Sequence, residues 1–122
     1  MFKINNDLSI HITRGDAADF TLTANDGNHQ FEQGDVVQFK VFEKKGCDCV
    51  VLQKDFPVTE DTDAVTISLA KEDTKIGELT SKPVDYWYEI ELNPDTYPQT
   101  IVGYDENGSK VFRLYPEGGD AM

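Results

Sequence analysis

The longest run of strict alternation in the chain is residues 85–92, Asp-Tyr-Trp-Tyr-Glu-Ile-Glu-Leu. Tyr86, Tyr88, Ile90 and Leu92 share one parity; Trp87, Glu89 and Glu91 share the other. Successive side chains on a strand point to opposite faces, so this stretch predicts a strand with one apolar face and one mostly solvated face. Its aromatic and β-branched content suits a pleated, half-buried surface.

Shorter runs of the same period surround it. Residues 8–12 put Leu8, Ile10 and Ile12 inward and His11 outward, and residues 18–24 put Ala18, Phe20, Leu22 and Ala24 inward. A short edge piece covers 30–33. Residues 36–43 place Val37, Phe39 and Val41 on one face, with Gln38 and Lys40 on the other. The return strand, 50–56, has Val50, Leu52 and Phe56 as its inward set, and residues 63–69 have Val65, Ile67 and Leu69. A last hairpin joins 100–104 to 110–115. Only residues 71–75 break the period of two, and they are too few for more than one helical turn.

Turn chemistry separates these runs. Arg14-Gly15-Asp16 and Gly34-Asp35 combine a residue free to take positive φ with a carboxylate that can bond the turn backbone. Asn25-Asp26-Gly27-Asn28 and Asn107-Gly108 are hairpin signals, and Pro57 ends its strand because proline cannot donate to a ladder. The Arg-Gly-Asp string sits in a turn the fold needs anyway. Seven or eight short strands at regular spacing predict an all-β fold, an antiparallel sandwich or barrel; the favoured form is an immunoglobulin-like antiparallel β-sandwich with the central strand buried and Tyr86 in the place of the corner tyrosine. The 122 residues make one domain, 1–122, with its core at about 8–115 and a loose tail at 116–122.

Composition narrows function by exclusion. Hydrophobic residues make up 39% of the chain and are spread along it, which is enough for a packed core. A net charge of −12 lacks the basic footprint that nucleic acid or an anionic membrane surface requires. If the protein assembles, its contact face is expected to be locally poor in carboxylates. The opening residues carry no apolar stretch of the secretory kind, so the chain is expected to be made and kept in a cytoplasm, or assembled there into something larger.

The residues offer no reactive set. Cys47 and Cys49 are too few for a structural zinc site and read as two small residues at a hairpin tip. His11 and His29 are far apart and face no nucleophile in the predicted layout. Asp61, Asp63 and Glu72 fall at the first, third and twelfth places of a calcium-loop pattern. Val65 and Thr66 stand where a ligand and a glycine belong, so that reading fails. No catalytic, cofactor or metal residues are expected. The residue that stands out is Trp87, which by parity points away from Tyr86 and Tyr88. An aromatic left exposed there anchors a partner or stacks on a sugar ring; the plainer alternative is cover by the last hairpin or by Lys40.

Several stretches, read in order, resemble a known family. They are residues 12–20 (Ile-Thr-Arg-Gly-Asp-Ala-Ala-Asp-Phe), 34–41 (Gly-Asp-Val-Val-Gln-Phe-Lys-Val), 67–74 (Ile-Ser-Leu-Ala-Lys-Glu-Asp-Thr), 86–92 (Tyr-Trp-Tyr-Glu-Ile-Glu-Leu), 100–103 and 112–114. The set resembles the N-terminal domain of phage baseplate upper proteins and related small phage or prophage structural proteins of Gram-positive bacteria, from Leu8 to Tyr115. The resemblance implies an immunoglobulin-like sandwich, a non-enzymatic tail or baseplate role, and other phage structural subunits or further copies of the chain as partners. Baseplate upper proteins continue into segments that organise receptor-binding subunits. This sequence stops at Met122, which points to a small accessory component. Trp87, Tyr97 and Tyr104 are the candidate partner contacts. An alternative reading makes the same three aromatics the stacking platform of a carbohydrate-binding β-sandwich on a cell surface.

Overall fold

A computed structural model describes residues 2–23, 31–44, 49–77, 81–94, 96, 99–103 and 110–116. Nine strands lie among them: β1 (Phe2–Ile4), β2 (Ile10–Thr13), β3 (Ala18–Thr23), β4 (Val36–Phe42), β5 (Val50–Pro57), β6 (Ala64–Leu69), β7 (Val84–Leu92), β8 (Gln99–Val102) and β9 (Lys110–Tyr115). They form two sheets, as the alternation predicts for a β-sandwich. The larger runs β1-β2-β9-β7-β4-β5, with β8 also paired to β7, and the smaller is β3-β6. The predicted turns at 25–28 and 107–108, the edge residue Gln30, the hairpin tip at 45–48 and the tail from 117 lie outside the described residues.

The period of two places the core. Tyr86, Tyr88 and Ile90 of β7, Val37, Phe39 and Val41 of β4, Phe112 and Leu114 of β9, and Ile10 and Ile12 of β2 all face the small sheet. Ile67 and Leu69 of β6 meet them, with Phe20 and Leu22 of β3 packed against the cluster. Phe39 is fully buried at its centre. Its ring lies 5.6 Å from Tyr88, 6.1 Å from Phe20 and 6.2 Å from Phe112, centroid to centroid, so one aromatic touches both layers. Such pairs add to the burial of the rings themselves.

Several local expectations are corrected. β2 and β9 pair in parallel, Ile10 opposite Phe112, because strands near the two ends of the chain run side by side in the same direction. β1, three residues long, pairs antiparallel with β2 and brings the count to nine, while of the expected edge piece at 30–33 the described residues form only an isolated bridge, Phe31 to Thr62. Leu8 is not inward: it is 42% exposed with φ +67°, in the turn between β1 and β2. The tethering tyrosine is Tyr88, whose hydroxyl donates to the Leu8 carbonyl, while Tyr86 packs against Gly77. Gly77 has φ +67°, and a Cβ there would lie 2.7 Å from the Tyr86 hydroxyl, so two constraints favour glycine. Val50 is 41% exposed, because a bulge between Val41 and Phe42 shifts the β4–β5 register.

Polar tethers hold the ends and layers together. The Arg14-Gly15-Asp16 turn is docked on residues 71–77: Arg14 donates to the carbonyls of Ile76 and Gly77, and the Gly15 N–H donates to the buried Thr74 hydroxyl. Arg14 is thereby committed to its own fold. Lys54 of β5 points inward and donates to the Ser68 carbonyl of β6 at 3.1 Å and to Asp73 at 2.6 Å, bridging the two sheets.

Phe39→Ala is expected to lower unfolding free energy by about 3–5 kcal/mol, read by urea titration. Leu8→Gly or Leu8→Asn is expected to raise it by about 0.5–1 kcal/mol, since left-handed backbone disfavours leucine. Unchanged or lower stability in both Leu8 variants would show that the turn does not carry this strain.

Candidate interaction face

With Tyr86, Tyr88 and Ile90 committed to the core, Trp87, Glu89 and Glu91 must occupy the outer face of the large sheet. The register then decides their neighbours. Trp87 lies opposite Val111 of β9 on one side and Phe42 of β4 on the other; Phe42 in turn lies opposite Val50 of β5. Val111, Trp87, Phe42 and Val50 therefore form one apolar row across four strands. Trp87, Phe42 and Val111 are half-buried and Val50 is exposed. Directly opposed pairs on a sheet face sit close enough to interact, so the row is a contiguous surface.

Charged rows flank it. On one side Arg113 makes a bidentate pair with Asp85 at 2.6 and 3.1 Å. Hydrogen bonding from Arg113 holds the Asp85 carboxyl below its ordinary range, and the same pairing raises Arg113. On the other side Lys40 lies opposite Glu89 and 3.6 Å from Glu91. Beyond them Gln38 donates to Asp55 at 2.9 Å. Burial, followed by repulsion from Glu91, pushes the Glu89 carboxyl up. Gly103 explains part of that burial, because the chain after β8 comes so close that a Cβ there would sit 3.4 Å from the Glu89 side chain.

A second polar cluster lies at the β1–β2 turn. The Ser9 N–H and hydroxyl both donate to Asp7 Oδ1, at 2.9 and 2.6 Å. His11 Nε2 is 3.0 Å from Ser9 Oγ and 2.9 Å from Asn5 Nδ2, and Nδ1 is 2.9 Å from the Tyr115 hydroxyl. His11 is therefore more than a solvated outward residue. The set superficially joins a serine, a histidine and an aspartate, but the Ser9 proton goes to Asp7 and Ser9 is only 6% exposed. The geometry pins the turn to β9; it does not present an activated nucleophile.

Of the three residues singled out from the sequence, Trp87 is on the outer face as its parity predicts. Tyr97 and Tyr104 lie outside the described residues, so the structure does not bring the three together. Its neighbours Phe42 and Val111 are not singled out by the sequence, and Val50, expected inward, lies on this outer face. Phe42 and Val111 each have the outward parity of their own strands, but their meeting with Trp87 depends on strand order. Cys49 is disulfide-bonded, which corrects the reading of two plain small residues; the only other cysteine in the sequence, Cys47, lies outside the described residues. Asp61 accepts from the Gln33 N–H, and strand β6 separates Asp63 from Glu72. Among the described residues no three His, Cys, Asp or Glu side chains converge as metal ligands.

No family model, no curated protein and no solved structure matches this chain.

The outer face carries a pH signature. A carboxyl raised in the fold is easier to protonate folded than unfolded, so Glu89 lowers stability as pH rises from its ordinary 4.5 through the raised folded value. Glu89→Gln is expected to be more stable than the parent at pH 7, with the advantage vanishing in acid. Urea unfolding at the two pH values checks this, and an advantage that persists in acid would contradict it.

Proposed function

We propose that this chain is a non-enzymatic structural module of a phage or prophage tail or baseplate, assembling with other protein subunits through the outer face of its large sheet. The observation that carries the reading is the row Val111, Trp87, Phe42 and Val50. It is a four-strand apolar surface with a tryptophan at its middle, and partner contacts concentrate their energy in such aromatic anchors. The family resemblance supplies the kind of assembly. The disulfide at Cys49 suits a protein that works outside the reducing cytoplasm, as a virion component does.

Trp87 is the chain's only tryptophan, so its fluorescence reports this face alone. Mixing the chain with disassembled virion proteins, or concentrating it, is expected to shift Trp87 emission to the blue. Light scattering should show a larger species at the same time. Trp87→Lys, with its fold verified by circular dichroism, should weaken association by at least about tenfold, as loss of an anchor aromatic does. A strict monomer at every concentration, with no virion protein cross-linked to it, would overturn the proposal. Trp87 quenching by soluble oligosaccharides alone would favour a carbohydrate-binding module instead.

A further inference from the structure

The small sheet has only two strands, and β6 pairs with β3 alone. Its other edge faces β5 across the open side of the sandwich. One contact fixes the direction of its backbone groups. The Ser68 carbonyl accepts from Lys54 of β5, so it points away from β3. Neighbouring residues in a strand alternate the direction of their N–H and C=O groups, so Thr66 and Ala64 present theirs to the same open side. Ala64 is already capped, its N–H and C=O both bonded to the Thr62 hydroxyl. That leaves Thr66 at the middle of the edge, with an N–H and a C=O aimed at the gap.

The gap is a groove of about 310 Å³, at the small end of ligand-sized clefts. Phe56, Val58 and Val65 supply an apolar lining, and Thr59, Glu60 and Thr66 supply polar groups. This is too small for a folded domain and suits the side chains of an extended segment. The connection between β5 and β6 adds Glu60, Asp61 and Asp63, all exposed, so the loop end of the groove is strongly acidic. A second copy of a chain carrying −12 is poorly matched to such a rim.

We infer that the β6 edge and this groove accept an extended, basic segment of a partner protein as an added strand. Thr66 gives the segment a backbone donor and acceptor. Phe56 and Val65 take its apolar side chains, and Glu60 and Asp63 pair with its lysines or arginines. Strand addition of this kind draws affinity from main-chain bonds and selectivity from alternate side chains. Lys54 and Thr62 cap the two ends of the edge, which restricts pairing to a short segment and discourages indiscriminate edge-to-edge aggregation. The site is separate from the Trp87 row, and neither depends on the other.

The test uses the full chain, isotopically labelled for amide spectra, with two synthetic probes: Lys-Val-Lys-Val-Thr-Val-Lys and its counterpart with glutamate for every lysine. The basic peptide is expected to shift the amides of Glu60, Val65 and Thr66 saturably and to slow hydrogen exchange at Thr66; the acidic peptide is expected to do neither. Thr66→Pro removes the donor at an edge position where proline is tolerated, and should weaken binding about fivefold. The double variant Glu60→Lys, Asp63→Lys should reverse the preference between probes, and it carries the comparison if Thr66→Pro does not fold. Unchanged Thr66 exchange with the basic peptide, or equal binding of both peptides, would overturn the inference and leave the Trp87 reading untouched.

Discussion

The rings around Phe39 set the register on which the rest of this protein depends. Phe39 contacts Tyr88 and Phe112 within the large sheet and Phe20 across the sandwich, so three strands are keyed to a fourth through one side chain. A slip of one residue in β4 or β7 would carry an entire apolar set to the outer face. The cost of emptying that centre is a sizeable part of the 5–15 kcal/mol that holds a domain of this size together. Once that register is set, nothing on the outer face is free to vary. Trp87 must stand outside because Tyr86 and Tyr88 stand inside, and it must meet Phe42 because Phe39 meets Ile90 three residues away.

The two layers are unequal, and that inequality generates the second feature. Seven strands present a broad inner surface, and a two-stranded sheet is marginal without a partner to pack on. Packing of Ile67 and Leu69 against the large sheet secures β6, and the Lys54 bridge to Ser68 and Asp73 braces the open side. Lys54 is half-buried, and its ammonium is matched by a carboxylate and a carbonyl, so little uncompensated charge is left inside. The same bridge narrows the free β6 edge to the neighbourhood of Thr66. One contact thus both stabilises the sandwich and defines how much of its edge remains available.

How much of this could be read from the sequence depended on whether a feature was local. The face of Trp87 was readable because parity along one strand decides it. Its neighbours were not, since Val111 and Phe42 join it only through the strand order β9-β7-β4. The hydrophobic pattern places Val50 in the core because the bulge after Val41 leaves no mark in it. Leu8 fails for the opposite reason: its apolar character fits the inward pattern, but the turn demands a left-handed residue. Phe2, Lys3 and Ile4 give no signal of a strand, because three residues show barely one period. Lys54 has the inward parity of Leu52 and Phe56, and its charge is accommodated there because the Ser68 carbonyl and Asp73 are its partners. The polar cluster of Asp7, Ser9 and His11 needed Tyr115, from the other end of the chain, before His11 had any role.

Charge explains why the Trp87 row suits association in so acidic a chain. Bringing two proteins together strips water from every group at the contact, and an unpaired carboxylate there costs more than the apolar burial beside it returns. Val111, Trp87, Phe42 and Val50 include no charge at all. Along the same face, Asp85 is answered by Arg113 and Glu91 by Lys40 from within the fold. Glu89 is partly desolvated before any partner arrives, so covering it adds less than covering a fully hydrated carboxylate would. The strong negative charge therefore sits elsewhere, as on the exposed β5–β6 loop with Glu60, Asp61 and Asp63, where it repels other copies and favours a basic segment. A single −12 chain can in this way hold one surface neutral enough to bury and another acidic enough to select.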